Sequence, residues 1–165
     1  MVKKQIPVLV LGLALIGLLS GAAFASNTHD ATVSCAVSAI NEIDLSGNPA
    51  AMVVEAAVAG SAPTEVTDNS TTYSITSNGT SKKITAVLDA DMPTGMTLKI
   101  NLASAGATSA GDKILSLTTS QNVVTGITKL NEAAQAITYK LSATAAAGVV
   151  SAANHTVTLT IADGA

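Results

Sequence analysis

The chain has 165 residues and an acidic balance, with eight Lys and no Arg against eleven Asp and Glu, and a pI near 5.1. That balance argues against nucleic-acid binding, which needs a dense set of cationic phosphate contacts, and without Arg no side chain can grip phosphate or carboxylate in a bidentate fork. Trp is absent and Tyr73 and Tyr139 are the only tyrosines, so the aromatic platforms on which sugar sites and protein hot spots lean are scarce.

Residues 1–25 have the three parts of a secretory signal peptide: basic Lys3 and Lys4, an apolar run from Ile6 to Leu19, and small residues ending in Ala23-Phe24-Ala25. The run is shorter than the ~20 residues of a spanning helix and leads into an Ala-x-Ala cleavage site. The expected mature chain is therefore residues 26–165, one domain with no membrane span, located in the periplasm, on the cell surface or in the medium. Removing Lys3 and Lys4 leaves six lysines against eleven acids, a net charge of −5. Cys35 is the only cysteine, so no intramolecular disulfide can form; on an alternating strand it reads as a small buried apolar residue.

From Thr32 onward apolar residues recur with period two in short runs broken by Gly, Asn, Pro and Asp, the signature of antiparallel β-structure. Thr32–Ile40 and Met52–Val58 are the first two expected strands. Asn78-Gly79 favours a two-residue hairpin turn, which would set Tyr73 opposite Ile84 and Thr71 opposite Ala86 on an apolar face, with Ile75 near Lys82. Met96, Leu98, Ile100 and Leu102 alternate with Thr97, Lys99 and Asn101, as one-sided burial requires. Lys113–Thr118 and Val123–Thr128 follow. Ile137, Tyr139, Leu141 and Ala143 alternate with Thr138, Lys140 and Ser142, and Val157, Leu159 and Ile161 alternate with threonines. The alanine-rich stretches 131–136 and 143–153 read as connections. Eight or nine strands at this spacing predict an all-β, antiparallel, immunoglobulin-like β-sandwich of about eight strands, with a closed β-barrel as the alternative.

Chemistry is thinly supplied. His29 and His155 have no ligand-type residue at metal-binding spacing, and no nucleophile elbow, phosphate loop or H-E-x-x-H is present. Asp89-Ala90-Asp91 is the best acidic cluster, readable as a weak calcium site or as two acids solvating a strand end. A Lys–Asn isopeptide bond would draw on Lys99, Lys113 or Lys140, yet alternation places Lys99 and Lys140 on polar faces. Asn69, Asn78 and Asn154 match the N-glycan acceptor pattern. No catalytic site, metal or cofactor is expected.

The opening Ala31-Thr32-Val33-Ser34-Cys35-Ala36-Val37-Ser38, the Thr/Ala/Gly-rich strands and the final alternating strand resemble those of bacterial secreted fimbrial and spore-coat-type β-sandwich subunits. The resemblance is one of style over residues 26–165. The expected function is a non-enzymatic structural subunit of a cell-surface or extracellular assembly. Val33, Cys35, Val37 and Ala39 would form an alternating strand able to add to a neighbour's sheet edge. Expected partners are further copies of the chain or other surface proteins. The alternative is an adhesion module for a glycan or a surface protein, with 62–69 or 90–95 as the binding loops.

Overall fold

A computed structural model describes residues 27–164; the expected signal peptide lies outside the described residues. These residues fall into two units divided after Ala36. Residues 27–36 belong to the first unit, are exposed and lie in no helix or strand. The fold described below is that of the second, which begins at Val37.

This unit is all-β. Its strands are β1 (Asn41–Leu45), β2 (Val66–Ser77), β3 (Lys82–Leu88), β4 (Met96–Leu102), β5 (Thr108–Ser109), β6 (Lys113–Ile114), β7 (Gln121–Ile127), β8 (Leu130–Ala143) and β9 (Val157–Asp163). They form two antiparallel sheets, ordered β1-β2-β8-β4-β6 and β5-β7-β3-β9. Both orders have open ends, so the described strands do not close into a single barrel.

Period-two patterning builds the core. Leu98, Ile100 and Leu102 of β4 and Ile137, Tyr139 and Leu141 of β8 turn inward from the five-stranded sheet, joined by Tyr73 and Ile75 of β2. Ile84, Ala86 and Leu88 of β3 and Val123, Val124 and Ile127 of β7 come from the four-stranded sheet into the same cluster. The consecutive valines both face inward because the β3–β7 register shifts there: Ile84 pairs with Val124 and Thr85 with Asn122, leaving Val123 as the extra residue of a bulge.

The hairpin expected at Asn78-Gly79 does not form. β2 and β3 belong to different sheets, and Tyr73 pairs with Leu45 and Gln135 rather than with Ile84. The apolar face was legible nonetheless, since Thr71, Tyr73, Ile75, Ile84 and Ala86 are all buried. What redirects the chain is the turn itself. The Asn78 side chain is taken up by residues before β1, accepting from the Ile40 N–H at 2.8 Å and donating to the Ser38 carbonyl at 2.7 Å. The left-handed residue is Ser81, at φ 52°, and its N–H donates to Thr128 Oγ1 at 3.1 Å. A corner between sheets replaces the two-residue turn.

Four further segments differ from their patterns, among them Lys113–Thr118, a strand only over Lys113–Ile114. Thr32–Ile40 lies in no strand, and the first strand begins at Asn41. Met52–Val58 forms only one isolated bridge, Ala57 with Pro63, although Met52 and Val54 pack against the core. Residues 131–136, expected as a connection, are part of the 14-residue β8. There the long partner β2 decides: Asn131 pairs with Thr76 and Ala136 with Thr72, and cross-strand pairing outweighs the helix propensity of alanine.

Candidate functional site

Of the chemistry-bearing residues singled out in the sequence, Asp89 and His155 come together, whereas Asp89 and Asp91 turn to different partners. Asp91 Oδ1 accepts the Leu117 N–H at 2.8 Å. Asp89 is held elsewhere, with its Oδ1 3.6 Å from His155 Nδ1. Hydrogen bonding from the Thr156 backbone, foremost, and the neighbouring His155 lower the Asp89 carboxyl below its ordinary range. Among the described residues no three or more His, Cys, Asp or Glu side chains are grouped as a metal ion needs.

On the outer face of the five-stranded sheet, Lys99 and Lys140 stand opposite one another, each with its own acid. Lys99 Nζ lies 3.2 Å from Glu65 and Lys140 Nζ 2.6 Å from Asp112, whose other oxygen accepts from Asn101 Nδ2 at 3.3 Å. Lys, Asp and Asn are thus linked in the combination an isopeptide bond would use. Their charge states oppose that chemistry. The hydrogen bond from Lys140 draws the Asp112 carboxyl down, and the same bond pushes the Lys140 amine up. Both stay ionised on a partly exposed surface, whereas attack on the Asn101 amide needs a neutral amine.

Cys35 is exposed, not buried as expected. The segment that carries it joins no strand, so it has no inward face to offer the thiol. Its apolar neighbours share that exposure: Val33 is 77% and Val37 82% accessible. Two large aliphatic side chains on one parity of the alternation, both outside the core, set this segment apart from the strands, whose apolar faces are buried. Entry from this segment into β1 is fixed at Asn78, which holds Ser38 and Ile40 through its side chain and donates its own N–H to the Ile40 carbonyl at 3.2 Å.

The second feature is the free edge of β9. Asp89 N–H donates to the Thr156 carbonyl at 3.0 Å, and Gly164 N–H donates to the Ser81 carbonyl at 2.6 Å. The β3–β9 register runs between these bonds without a shift. Hydrogen-bonded and non-hydrogen-bonded pairs alternate in an antiparallel ladder, so Thr158, Thr160 and Ala162 bond to β3. Val157, Leu159, Ile161 and Asp163 then turn their N–H and C=O groups outward, and among the described residues no strand pairs with that side. Their side chains follow the same parity: Val157, Leu159 and Ile161 pack against the core while Thr158 and Thr160 face solvent.

β1, the end strand of the other sheet, approaches β9. Leu45 and Val157 both line a cavity of about 530 Å³ whose walls also include Met52, Met92, Tyr139 and His155. The period-two pattern had pointed to the segment from Val33 to Ala39. The edge status of β9 and this cavity had no signal in the sequence, because both depend on which strands pair. No known protein family, curated protein or solved structure matches the chain.

Proposed function

We propose that this chain is an exported, non-enzymatic structural subunit that self-associates on a cell surface or in an extracellular matrix, using residues 32–40 as an assembly arm. One observation carries the reading. An alternating segment with a strand's pattern, Val33, Cys35, Val37 and Ala39, lies in no strand, and its two valines are among the most exposed large apolar side chains of the described residues. Burying such side chains contributes about 1.5–3 kcal/mol each, which gives the arm a substantial drive to find a sheet.

The strand order supports an immunoglobulin-like sandwich as the finer fold type. β1-β2-β8-β4 follows the A-B-E-D sheet of that fold, and β3-β9 follows its neighbouring C and F strands. In immunoglobulin domains a further strand, G, lies beside F. The adhesion alternative finds less support. The cavity reached by Met92 of the 90–95 loop has a mixed lining, with Met52, Met92 and Leu98 beside Asn48, Asn154 and His155, and Tyr139 is the single Trp- or Tyr-type ring it offers a sugar for stacking.

Light scattering on two chains, one starting at Ser26 and one at Ile40, tests the reading. The longer chain is expected to form dimers or larger species at micromolar concentration and the shorter to stay a folded monomer by circular dichroism. A longer chain that remains monomeric at all accessible concentrations refutes self-association.

A further inference from the structure

We propose that the cavity at the corner where β1 approaches β9 is a binding site for a soft monovalent cation, copper(I), held by the Met52 and Met92 thioethers and an imidazole nitrogen of His155. All three residues line this cavity of about 530 Å³, and the site stands apart from the self-association reading. Met52, Met92 and Met96 are the methionines beyond residue 25, so two of the three border one cavity together with one of the two histidines.

Local structure brings these residues together from distant parts of the chain. Met92 lies in the turn between β3 and β4. It is pinned on one side by Asp91 Oδ1, which accepts the Leu117 N–H at 2.8 Å, and on the other by the Met96 N–H, which donates to the Pro93 carbonyl at 2.9 Å. His155 precedes β9, and the bond from the Asp89 N–H to the Thr156 carbonyl ties it to the end of β3, close in sequence to Met92. Met52 sits in the long connection between β1 and β2, packed against the core without belonging to a strand. Its unbranched side chain, with three rotatable bonds, can shift the sulfur towards a guest.

The donor set selects the ion. Among the described residues no Cys, Asp or Glu lines the cavity, so it lacks the charged oxygens that calcium takes and the thiolates or carboxylates common in zinc sites. Thioether sulfur is a soft, neutral donor that selects copper(I), and imidazole suits copper as well. His155 is arranged as such a ligand would be. Its Nδ1 is buried, has no hydrogen-bond partner and lies 3.6 Å from Asp89 Oδ1. A proton on that nitrogen faces the carboxylate and leaves the Nε2 lone pair for the cavity, the arrangement that backs histidine ligands in metal sites. A small shift would close the gap to a hydrogen bond and satisfy the orphaned nitrogen, and a metal on Nε2 favours it by fixing that tautomer.

Copper(I) titration of the chain starting at Ser26, without oxygen and against a chromogenic copper(I) chelator, tests the site. Cys35→Ser is the background throughout, since an exposed thiol competes for the same ion. One equivalent is expected to bind, and Met52→Leu, Met92→Leu and His155→Gln are each expected to weaken it at least tenfold. Met96→Leu and His29→Gln, outside the cavity lining, are the controls and are expected to bind as the background does. Exchange of Met for Leu nearly conserves volume, so the packing is kept. A second readout needs no substitution near the cavity: silver(I), a redox-stable probe of the same softness, should move the methyl resonances of Met52 and Met92 and leave that of Met96 in place. Failure to compete with the chelator, equal loss in the controls, methyl shifts that spare Met52 and Met92, or displacement of copper(I) by equimolar zinc(II) would each overturn the assignment.

Discussion

Ile100→Ala is expected to destabilise the domain by about 2–5 kcal/mol, read as a lower urea midpoint with an unchanged slope. Ile100 is 0% exposed in the middle of β4, between β8, where it pairs with Tyr139, and the short β6. Both neighbouring strands fix its backbone, so the surroundings have little freedom to collapse into the space left behind, and the transfer and cavity losses add. The loss would be a large fraction of the roughly 5–15 kcal/mol that holds an ordinary domain together. Ile114→Ala is the internal comparison, since Ile114 is 58% exposed on β6; it is expected to change stability by less than about 0.5 kcal/mol. Equal shifts from the two substitutions would contradict the placement of the core between the sheets.

Raising the pH should unfold the domain through Tyr73. Its ring is buried and its hydroxyl donates to the Ala103 carbonyl at 2.6 Å. Burial, first, and the nearby Glu132 carboxylate push its pKa from 10 to about 12, partly offset by a hydrogen bond from Ser104. The folded state therefore holds the phenol proton after the unfolded chain has released it. Stability from this group is complete below pH 10 and is lost as pH rises towards 12. At about 1.4 kcal/mol per unit, the shift is worth on the order of 3 kcal/mol. Burial raises Tyr139 as well, adding in the same direction. Tyr73→Phe gives up the bond to Ala103, a cost of about 1 kcal/mol near neutrality, and should flatten the alkaline decline. A variant whose midpoint falls as steeply with pH as the parent's would contradict this role.

The pattern of the sequence gives inward and outward faces more readily than partners. β4 spans the same residues, Met96–Leu102, that its alternation marks out, and the inward residues of β8 and β9 fall where period two puts them. A residue's face follows from its own neighbours in the chain, so it is local information. Partners are not local. The Asn78-Gly79 signal is sound turn chemistry, yet the Asn78 amide is used by Ser38 and Ile40, about forty residues earlier, and no short-range rule anticipates that competition. Thr32–Ile40 alternates as regularly as β4 yet lies in no strand, and Met52–Val58, apolar at both parities, forms only the one bridge between Ala57 and Pro63.

The candidate site divides along the same line. The arm is legible because alternation of Val33, Cys35, Val37 and Ala39 is a property of nine consecutive residues. That β9 lies at the end of its sheet is not legible in this way, because it follows from β3 pairing with both β7 and β9. Asp89 and Asp91 show the converse. They lie two residues apart in sequence, but the fold assigns them to Thr156 and Leu117, on different segments.

Amide hydrogen exchange over residues 32–37, measured residue by residue in dilute and in assembled samples, tests the central claim most directly. Alternate amides of this segment are expected to exchange readily when dilute and to gain protection of tenfold or more on assembly, as a strand partner takes up their N–H groups. Assembled material in which all of them exchange as fast as in the monomer would contradict the assembly arm.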